Sequence, residues 1–99
     1  MKTLKQTSLS ITSENLEFLQ DNLFKSLSNT LNWYIENQAK TGSVPFLQVL
    51  SNDKTTKVVR ISTKAKDFIQ NNKIANSNSY TVNCILQAAR EQNITPFNQ

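Results

Sequence analysis

Few side chains in this sequence are suited to catalysis or to holding a metal ion. The chain has no histidine and a single cysteine, Cys84. Structural zinc sites of the usual type need about four Cys or His ligands, and the common triads need a histidine, so both are excluded. A lone cysteine also excludes an internal disulfide and suits a reducing compartment. We therefore expect no catalytic residue, no metal site and no cofactor.

The carboxylates nearest one another in the sequence have a simpler explanation than catalysis. Glu14, Glu17 and Asp21 recur at helical spacing and so lie along one face of a helix. A charged face of this kind ordinarily meets solvent. An enzymatic role is therefore the weakest of the functional hypotheses.

The cationic side chains are compatible with a polyanionic partner. Eleven Lys and Arg against seven Asp and Glu give a formal charge of +4, a modest excess. Lys2 and Lys5 precede one strand-like segment, and Lys54, Lys57 and Arg60 surround another. A solvated surface is the alternative explanation of the same charges.

Length and hydrophobic content limit the architecture. Ninety-nine residues, 37% of them hydrophobic, correspond to one small domain over residues 1–99. No run approaches the roughly 20 apolar residues of a membrane-spanning helix, and segment 1–6 has no apolar signal-peptide core. We therefore expect no membrane partner and a cytoplasmic location.

The sequence repeats itself at a shift of fifty to fifty-one residues. Apolar positions match apolar ones in most of the aligned segments, and both halves end on Pro-Phe. The matching segments are 9–13 with 59–63, 18–22 with 68–72, 26–32 with 77–83, and 44–48 with 95–99. Chance similarity in a chain rich in Ser and Asn is the alternative, and the repeated Pro-Phe argues against it.

Each half opens with a pattern that predicts a half-buried strand followed by two helices. Leu9 and Ile11 alternate with polar residues, and Val59 and Ile61 stand at the matching places of the second half. Apolar residues then recur at helical spacing. Four hydroxyl residues are predicted N-caps: Ser13 and Thr63 for the first helices, and Ser26 and Ser77 for the second.

The predicted fold is mainly α with a two-stranded antiparallel β-ribbon. One short strand is not stable alone, so we expect the two strands to pair and to lay their apolar face on the helices. The predicted divisions are a first unit 5–40, a connector 41–54, a second unit 55–92 and a tail 93–99. The connector is apolar over 44–50, and we expect it to pack on the domain, to form a short helix or to contact another chain.

The opposite face of this ribbon would present six residues: Gln6, Ser8, Ser10, Thr56, Val58 and Arg60. A two-stranded ribbon is narrow enough to enter the major groove of B-DNA. Arg60 can bond guanine O6 and N7, Gln6 can pair with adenine N6 and N7, and Val58 can contact a thymine methyl. The hydroxyl residues discriminate weakly. Because the halves differ, we expect a non-palindromic DNA element.

The strand-helix-helix order, present twice over about 6–38 and 56–90, resembles the ribbon-helix-helix family of DNA-binding proteins, the class of the Arc and MetJ repressors. Two units in one chain look like a tandem pseudo-dimer, similar to the TraY class of plasmid-transfer proteins. The resemblance implies sequence-specific binding of double-stranded DNA, usually for transcriptional repression, a nucleoid-associated location and self-association on DNA. It leaves open a relaxosome or plasmid-transfer accessory role and an antitoxin-like protein-interaction module.

The resemblance also implies a phosphate clamp at the start of each second helix. The clamp falls on Ser26–Leu27 and Ser77–Asn78, where free backbone N–H groups and the positive helix end bind phosphate. Lys5 and Lys57 are expected to add phosphate affinity. The chain departs from the family in the turn between the helices, where glycine is common, since residues 23–25 and 75–76 contain none.

Overall fold

The computed structural model describes residues 4–48 and 53–96, and residues 4 and 5 are described by their backbone alone. Within these residues, two strands and four helices follow one another in the predicted order. They are β1 Leu4–Thr12, α1 Ser13–Asp21, α2 Leu27–Ala39, β2 Lys54–Ser62, α3 Thr63–Asn71 and α4 Asn78–Glu91. Connector residues 49–52 and tail residues 97–99 lie outside the described part, so the predictions made for them stay predictions.

The two strands pair antiparallel over their full length and form a two-stranded sheet. Each strand has nine residues. Leu9, Ile11, Val59 and Ile61 are all buried, which confirms the face assignment made from the period-two pattern. The apolar side of the ribbon therefore lies on the helices and leaves its other side to solvent.

All four helices contribute to one core beneath the ribbon. The largest fully buried side chains on the helices are Tyr34, Leu19, Leu31, Ile35, Ile85 and Leu86. The Tyr34 hydroxyl donates to the carbonyl oxygen of Ile94 at 3.0 Å, so the buried phenol is satisfied. No helix of the described residues has the length and apolarity that crossing a bilayer would need.

The first helix of each half begins one residue earlier than the sequence predicted. Thr12 and Ser62 are the N-caps, and the predictions of Ser13 and Thr63 are wrong. The Thr12 hydroxyl accepts the Asn15 backbone N–H at 3.3 Å, and Ser62 makes the same bond in the second half. Because the last residue of each strand is also the cap, the strand passes directly into the helix.

The second helices begin where the sequence predicted. Ser26 and Ser77 cap them by accepting the backbone N–H three residues further on, at 3.1 Å in both cases. In the turns before these caps, Lys25, Ala75 and Asn76 have φ angles of 66°, 54° and 52°. A non-glycine residue in this left-handed region costs roughly 1 kcal/mol or more, which is why glycine is the usual choice there.

The described part of the connector packs on the domain without regular secondary structure. α2 ends before Gly42, as predicted. Further along, the carbonyl oxygen of Leu47 accepts the Tyr80 hydroxyl at 3.2 Å and the Cys84 thiol at 3.3 Å. The ring of Phe46 stacks on Tyr80 with 6.1 Å between centroids. Of the three expectations for the connector, packing along α4 is the one that its described residues follow.

Candidate nucleic-acid interface

The six strand residues predicted to face DNA share one face of the ribbon. They form three directly opposed pairs: Gln6 with Arg60, Ser8 with Val58, and Ser10 with Thr56. Ser10 is half-buried, and the other five are exposed. The antiparallel register thus brings together side chains that lie about fifty residues apart in the sequence.

These pairs are of the closely spaced kind. The backbone N–H of Ser10 points away from β2 and donates to Ser79 Oγ, and that of Arg60 points away from β1 and donates to Ser28 Oγ, each at 3.0 Å. Pairs whose backbone groups point outward have Cα atoms about 4.5 Å apart. Accordingly, Ser10 Oγ lies 3.4 Å from Thr56 Oγ1. Each pair therefore acts on a ligand as one patch.

An asparagine on each second helix holds an outer edge of the ribbon. Its amide nitrogen donates to a strand carbonyl, and its amide oxygen accepts the backbone N–H two residues further on. The bonds run from Asn32 to Arg60 and Ser62 at 2.8 and 3.0 Å, and from Asn83 to Ser10 and Thr12 at 2.9 and 3.1 Å. A strand edge otherwise exposes unpaired backbone groups. α2 therefore holds the edge of β2, and α4 holds the edge of β1.

The starts of α2 and α4 are consequently fixed beside the two edges of the ribbon. Ser28 and Ser79, in the first turns, are the residues that accept the strand N–H groups. The four predicted clamp residues are the caps Ser26 and Ser77 and the first helical residues Leu27 and Asn78. Backbone N–H groups at a helix start have no intrahelical acceptor. The Ser26 and Ser77 N–H groups donate to the carbonyl oxygens of Phe24 and Ile74 at 2.7 and 3.0 Å. The structure thus brings the N–H groups of Leu27 and Asn78 to the two sides of the ribbon.

Sequence analysis missed these edge contacts, although the repeat contains a signal for them. Segments 26–32 and 77–83 share four identities: Ser26 with Ser77, Ser28 with Ser79, Thr30 with Thr81, and Asn32 with Asn83. The serine and asparagine pairs make the matching hydrogen bonds described above. Thr30 and Thr81 also match, because they accept the backbone N–H of residues 24 and 74 at 2.7 and 2.8 Å. Identity within the repeat therefore marks the polar side chains that position strands and turns.

Of the two predicted phosphate-binding lysines, Lys57 lies on the opposite face of the ribbon from the six ribbon residues. Lys57 is half-buried, and its side chain lies on the same face of β2 as that of the core residue Val59. Lys5 lies in β1, and its side chain is outside the described part. Lys54 is exposed and lies on the same face of β2 as Arg60, so it adds positive charge to the solvent face of the ribbon. Phosphate contacts by Lys5 and Lys57 stay predictions.

The carboxylates of α1 and the single cysteine do not form a reactive site in the part of the chain that the structure describes. Glu14, Glu17 and Asp21 are all exposed, in keeping with a solvated helix face. Cys84 is buried, and burial raises the pKa of its thiol. A thiol that is buried and mainly protonated is a poor nucleophile. Over residues 4–48 and 53–96, no group of three Cys, Asp or Glu side chains is placed to hold a metal ion.

No family model, no curated protein and no solved structure matches this chain. Any function assigned to it therefore rests on the geometry described above.

Proposed function

We propose that the chain is a sequence-specific double-stranded DNA-binding protein, a transcriptional repressor that inserts the β1–β2 ribbon into the major groove. The observation that supports this best is the pairing of Gln6, Ser8 and Ser10 with Arg60, Val58 and Thr56 on one solvent face. The major groove is about 12 Å wide and admits a two-stranded ribbon. The other face of the ribbon is occupied by the core, so this face is the one available to DNA.

The strongest base contacts belong to one end of the ribbon. Gln6 and Arg60 face each other there, and each can make two hydrogen bonds to one purine. A good bidentate contact is worth about 1–3 kcal/mol of discrimination between bases. At the other end, Ser10 and Thr56 are short hydroxyl residues with weak preference. The reading of the DNA site is therefore unequal along the ribbon.

The tandem architecture belongs to the same proposal. Residues 5–40 and 55–92 form two ribbon-helix-helix units that make a pseudo-dimer within one domain. Several matched features support it: strands of equal length, first helices of equal length and caps at equivalent places. The edge bonds also match crosswise, with Asn32 of the first unit on β2 and Asn83 of the second on β1.

The helix starts supply phosphate contacts that orient the ribbon without reading sequence. Ser26–Leu27 and Ser77–Asn78 stand beside opposite edges, where the two sugar-phosphate backbones of a groove would run. Free N–H groups and the positive helix end attract phosphate oxygens. Such contacts fix register and orientation, and base contacts supply specificity.

A protein-interaction module of the antitoxin kind is the second candidate. Phe46 favours it, because this residue stays 70% exposed although its ring stacks on Tyr80 of α4. An exposed aromatic side chain of this kind is common at protein contacts. A plasmid-transfer accessory role would use the same DNA-binding geometry as the repressor.

The decisive experiment selects duplexes from a random pool with the whole chain and then measures binding by salt-dependent gel shift. Arg60→Ala is expected to lose about 1–3 kcal/mol on the selected duplex and to relax the preference for guanine. Lys64→Ala removes the same charge from an exposed position on α3 and serves as the control. Circular dichroism checks that both variants fold. Failure to enrich any duplex, or unchanged binding by Arg60→Ala, would overturn the proposal.

A further inference from the structure

A cavity of about 110 Å³ opens between β1, β2 and the helices α3 and α4. Leu9, Ile61 and Ile69 form its floor, and all three are buried core residues. Liquid water takes about 30 Å³ per molecule, so the space corresponds to roughly four waters. The cavity is thus large enough for a small organic group.

The rim of the cavity is polar and carries one cation. Lys66 and Gln70 come from α3, Asn78 from α4 and Gln6 from β1. Gln70 Nε2 donates to Asn78 Oδ1 at 3.4 Å, which joins the two helices at the rim. None of the described residues that line the cavity is acidic. An apolar floor beneath a few convergent polar groups is the usual character of a small-molecule site.

The two halves differ at two positions that line the cavity in the second half. Leu16 is the fourth residue of α1, and Lys66 is the fourth residue of α3. Leu27 is the first residue of α2, and Asn78 is the first residue of α4. Both leucines pack against the core. The second half has polar residues in their place, so this side of the cavity is lined by polar side chains.

We propose that this cavity binds a small carboxylic acid with a short branched aliphatic body. The apolar body fills the space that Leu9, Ile61 and Ile69 line from below, and it displaces water from that space. The carboxylate pairs with the Lys66 ammonium group and accepts from the side-chain amide of Asn78. The absence of an acidic residue among the described lining residues selects an anion over an amine.

The binding test is done on the whole chain in the absence of DNA. Isovalerate is the probe. Saturable shifts are expected at the methyl resonances of Leu9, Ile61 and Ile69. Isoamyl alcohol has the same body without the charge, and it should bind about tenfold more weakly. Lys66→Gln should weaken isovalerate by a similar factor, whereas Lys64→Gln, on the same helix outside the cavity, should not.

A second variant fills the cavity. The double substitution Lys66→Leu with Asn78→Leu installs the residues that the first half carries at these positions, and it should abolish the methyl shifts while the chain stays folded. Isovalerate that leaves the three methyl groups unshifted overturns the proposal. Equal shifts in the filled variant, or equal affinity for the acid and the alcohol, overturn it as well.

An occupied cavity should also weaken DNA binding, a step that rests on the proposed function. Gln6 belongs both to the rim and to the exposed ribbon face, and Asn78 belongs both to the rim and to the phosphate clamp. A carboxylate at Asn78 would repel a DNA phosphate, and coupling between two sites is reciprocal. Saturating isovalerate should therefore lower the affinity for a selected duplex several-fold, whereas isoamyl alcohol should not.

The two proposals fail in distinguishable ways. A chain that binds isovalerate but selects no duplex refutes the proposed function and the coupling, and leaves the cavity site standing. A chain that binds both ligands independently refutes the coupling alone. A chain that binds a duplex but shows no methyl shifts refutes the cavity site and leaves DNA binding intact.

Discussion

Ser8 and Val58 face each other at the middle of the ribbon, and each is the fifth of nine residues in its strand. The hydrogen-bonded ladder is therefore centred on a pair of unlike side chains. Arg60 lies two residues from this centre on one side, and Thr56 lies two residues from it on the other. Because the face has no strict two-fold symmetry, a DNA element bound by it as proposed is expected to be non-palindromic.

Val58 should recognise a thymine methyl group. Its side chain is 62% exposed at the centre of the face. Val58→Ser removes two methyl groups and should cost about 1 kcal/mol on the selected duplex. Gel shifts with duplexes that carry thymine or uracil at the contacted position measure the effect directly. Wild type should prefer thymine, and Val58→Ser should not.

Ser8→Ala is the matched control for this prediction. It removes a hydroxyl group from the facing position and keeps the valine. The ratio of thymine to uracil affinity should therefore stay as in wild type. If Val58→Ser kept that ratio too, the valine would have no part in base recognition.

Asn83 should contribute more stability than its counterpart Asn32. Asn83 is 2% exposed and bonds the edge of β1, whereas Asn32 is half-buried. Asn83→Ala leaves Thr12 N–H unpaired in a buried setting and Ser10 C=O unpaired in a half-buried one, which should lower the free energy of unfolding by about 2 kcal/mol or more. Asn32→Ala should cost about 1 kcal/mol, because water can reach the freed groups. Urea unfolding measures both values.

The neighbour of Asn83 sharpens this test. Asn15 donates to the Asn83 side chain at 3.0 Å, and its own amide oxygen is buried with no hydrogen-bond partner among the described residues. Asn83→Ala therefore removes one of the two bonds of the Asn15 amide nitrogen and keeps the other, which runs to the backbone carbonyl of residue 83 at 3.2 Å. Adding Asn15→Ala should recover part of the loss, so the two substitutions should be non-additive. Additive losses would mean that the two amides stabilise the chain independently.

Glycine at position 75 should stabilise the turn between α3 and α4. Ala75 has a φ of 54°, which is unfavourable for a residue with a Cβ atom. Ala75→Gly removes this strain at the expense of a more flexible unfolded chain, and the net gain should be about 0.5–1 kcal/mol. Thermal or urea unfolding gives the value. Ala88→Gly, inside α4, should instead lose about 1 kcal/mol, and a loss at both sites would refute the strain argument.

Stability should fall in alkaline solution because of Tyr34. Burial raises the pKa of its phenol from 10.0 to about 12. The folded state therefore retains a proton that the unfolded state releases near pH 10, so the stabilisation is complete below pH 10 and is lost as the pH rises towards 12. Urea midpoints at pH 9 and pH 11 should differ more for wild type than for Tyr34→Phe. Equal differences in the two proteins would assign the pH dependence to other groups.

The strands and their faces were predictable because a half-buried strand has a period of two. Leu9, Ile11, Val59 and Ile61 stand out in any such pattern, and their burial follows. The caps of the first helices were predicted one residue too late. Each site offers two consecutive hydroxyl residues, and the choice between them depends on where β1 and β2 stop pairing, which is a tertiary effect.

The edge contacts were not predictable in the same way. Asn32 and Asn83 lie in helices, where asparagine has a low intrinsic propensity. Their partners are strand groups 28 and 73 residues away, and only the crosswise packing of the helices brings them within reach. The conformation of the connector was likewise left open, because contacts with Tyr80 and Cys84 determine it.

Both strands of the sheet belong to one polypeptide, and this has a consequence for a cell that holds few copies of the protein. A ribbon assembled from separate chains dissociates on dilution, whereas here the two strands are covalently linked and their pairing does not depend on protein concentration. A mutation in one strand also leaves the other unchanged. The portions of the proposed recognition surface that β1 and β2 contribute can therefore diverge over evolutionary time without having to match.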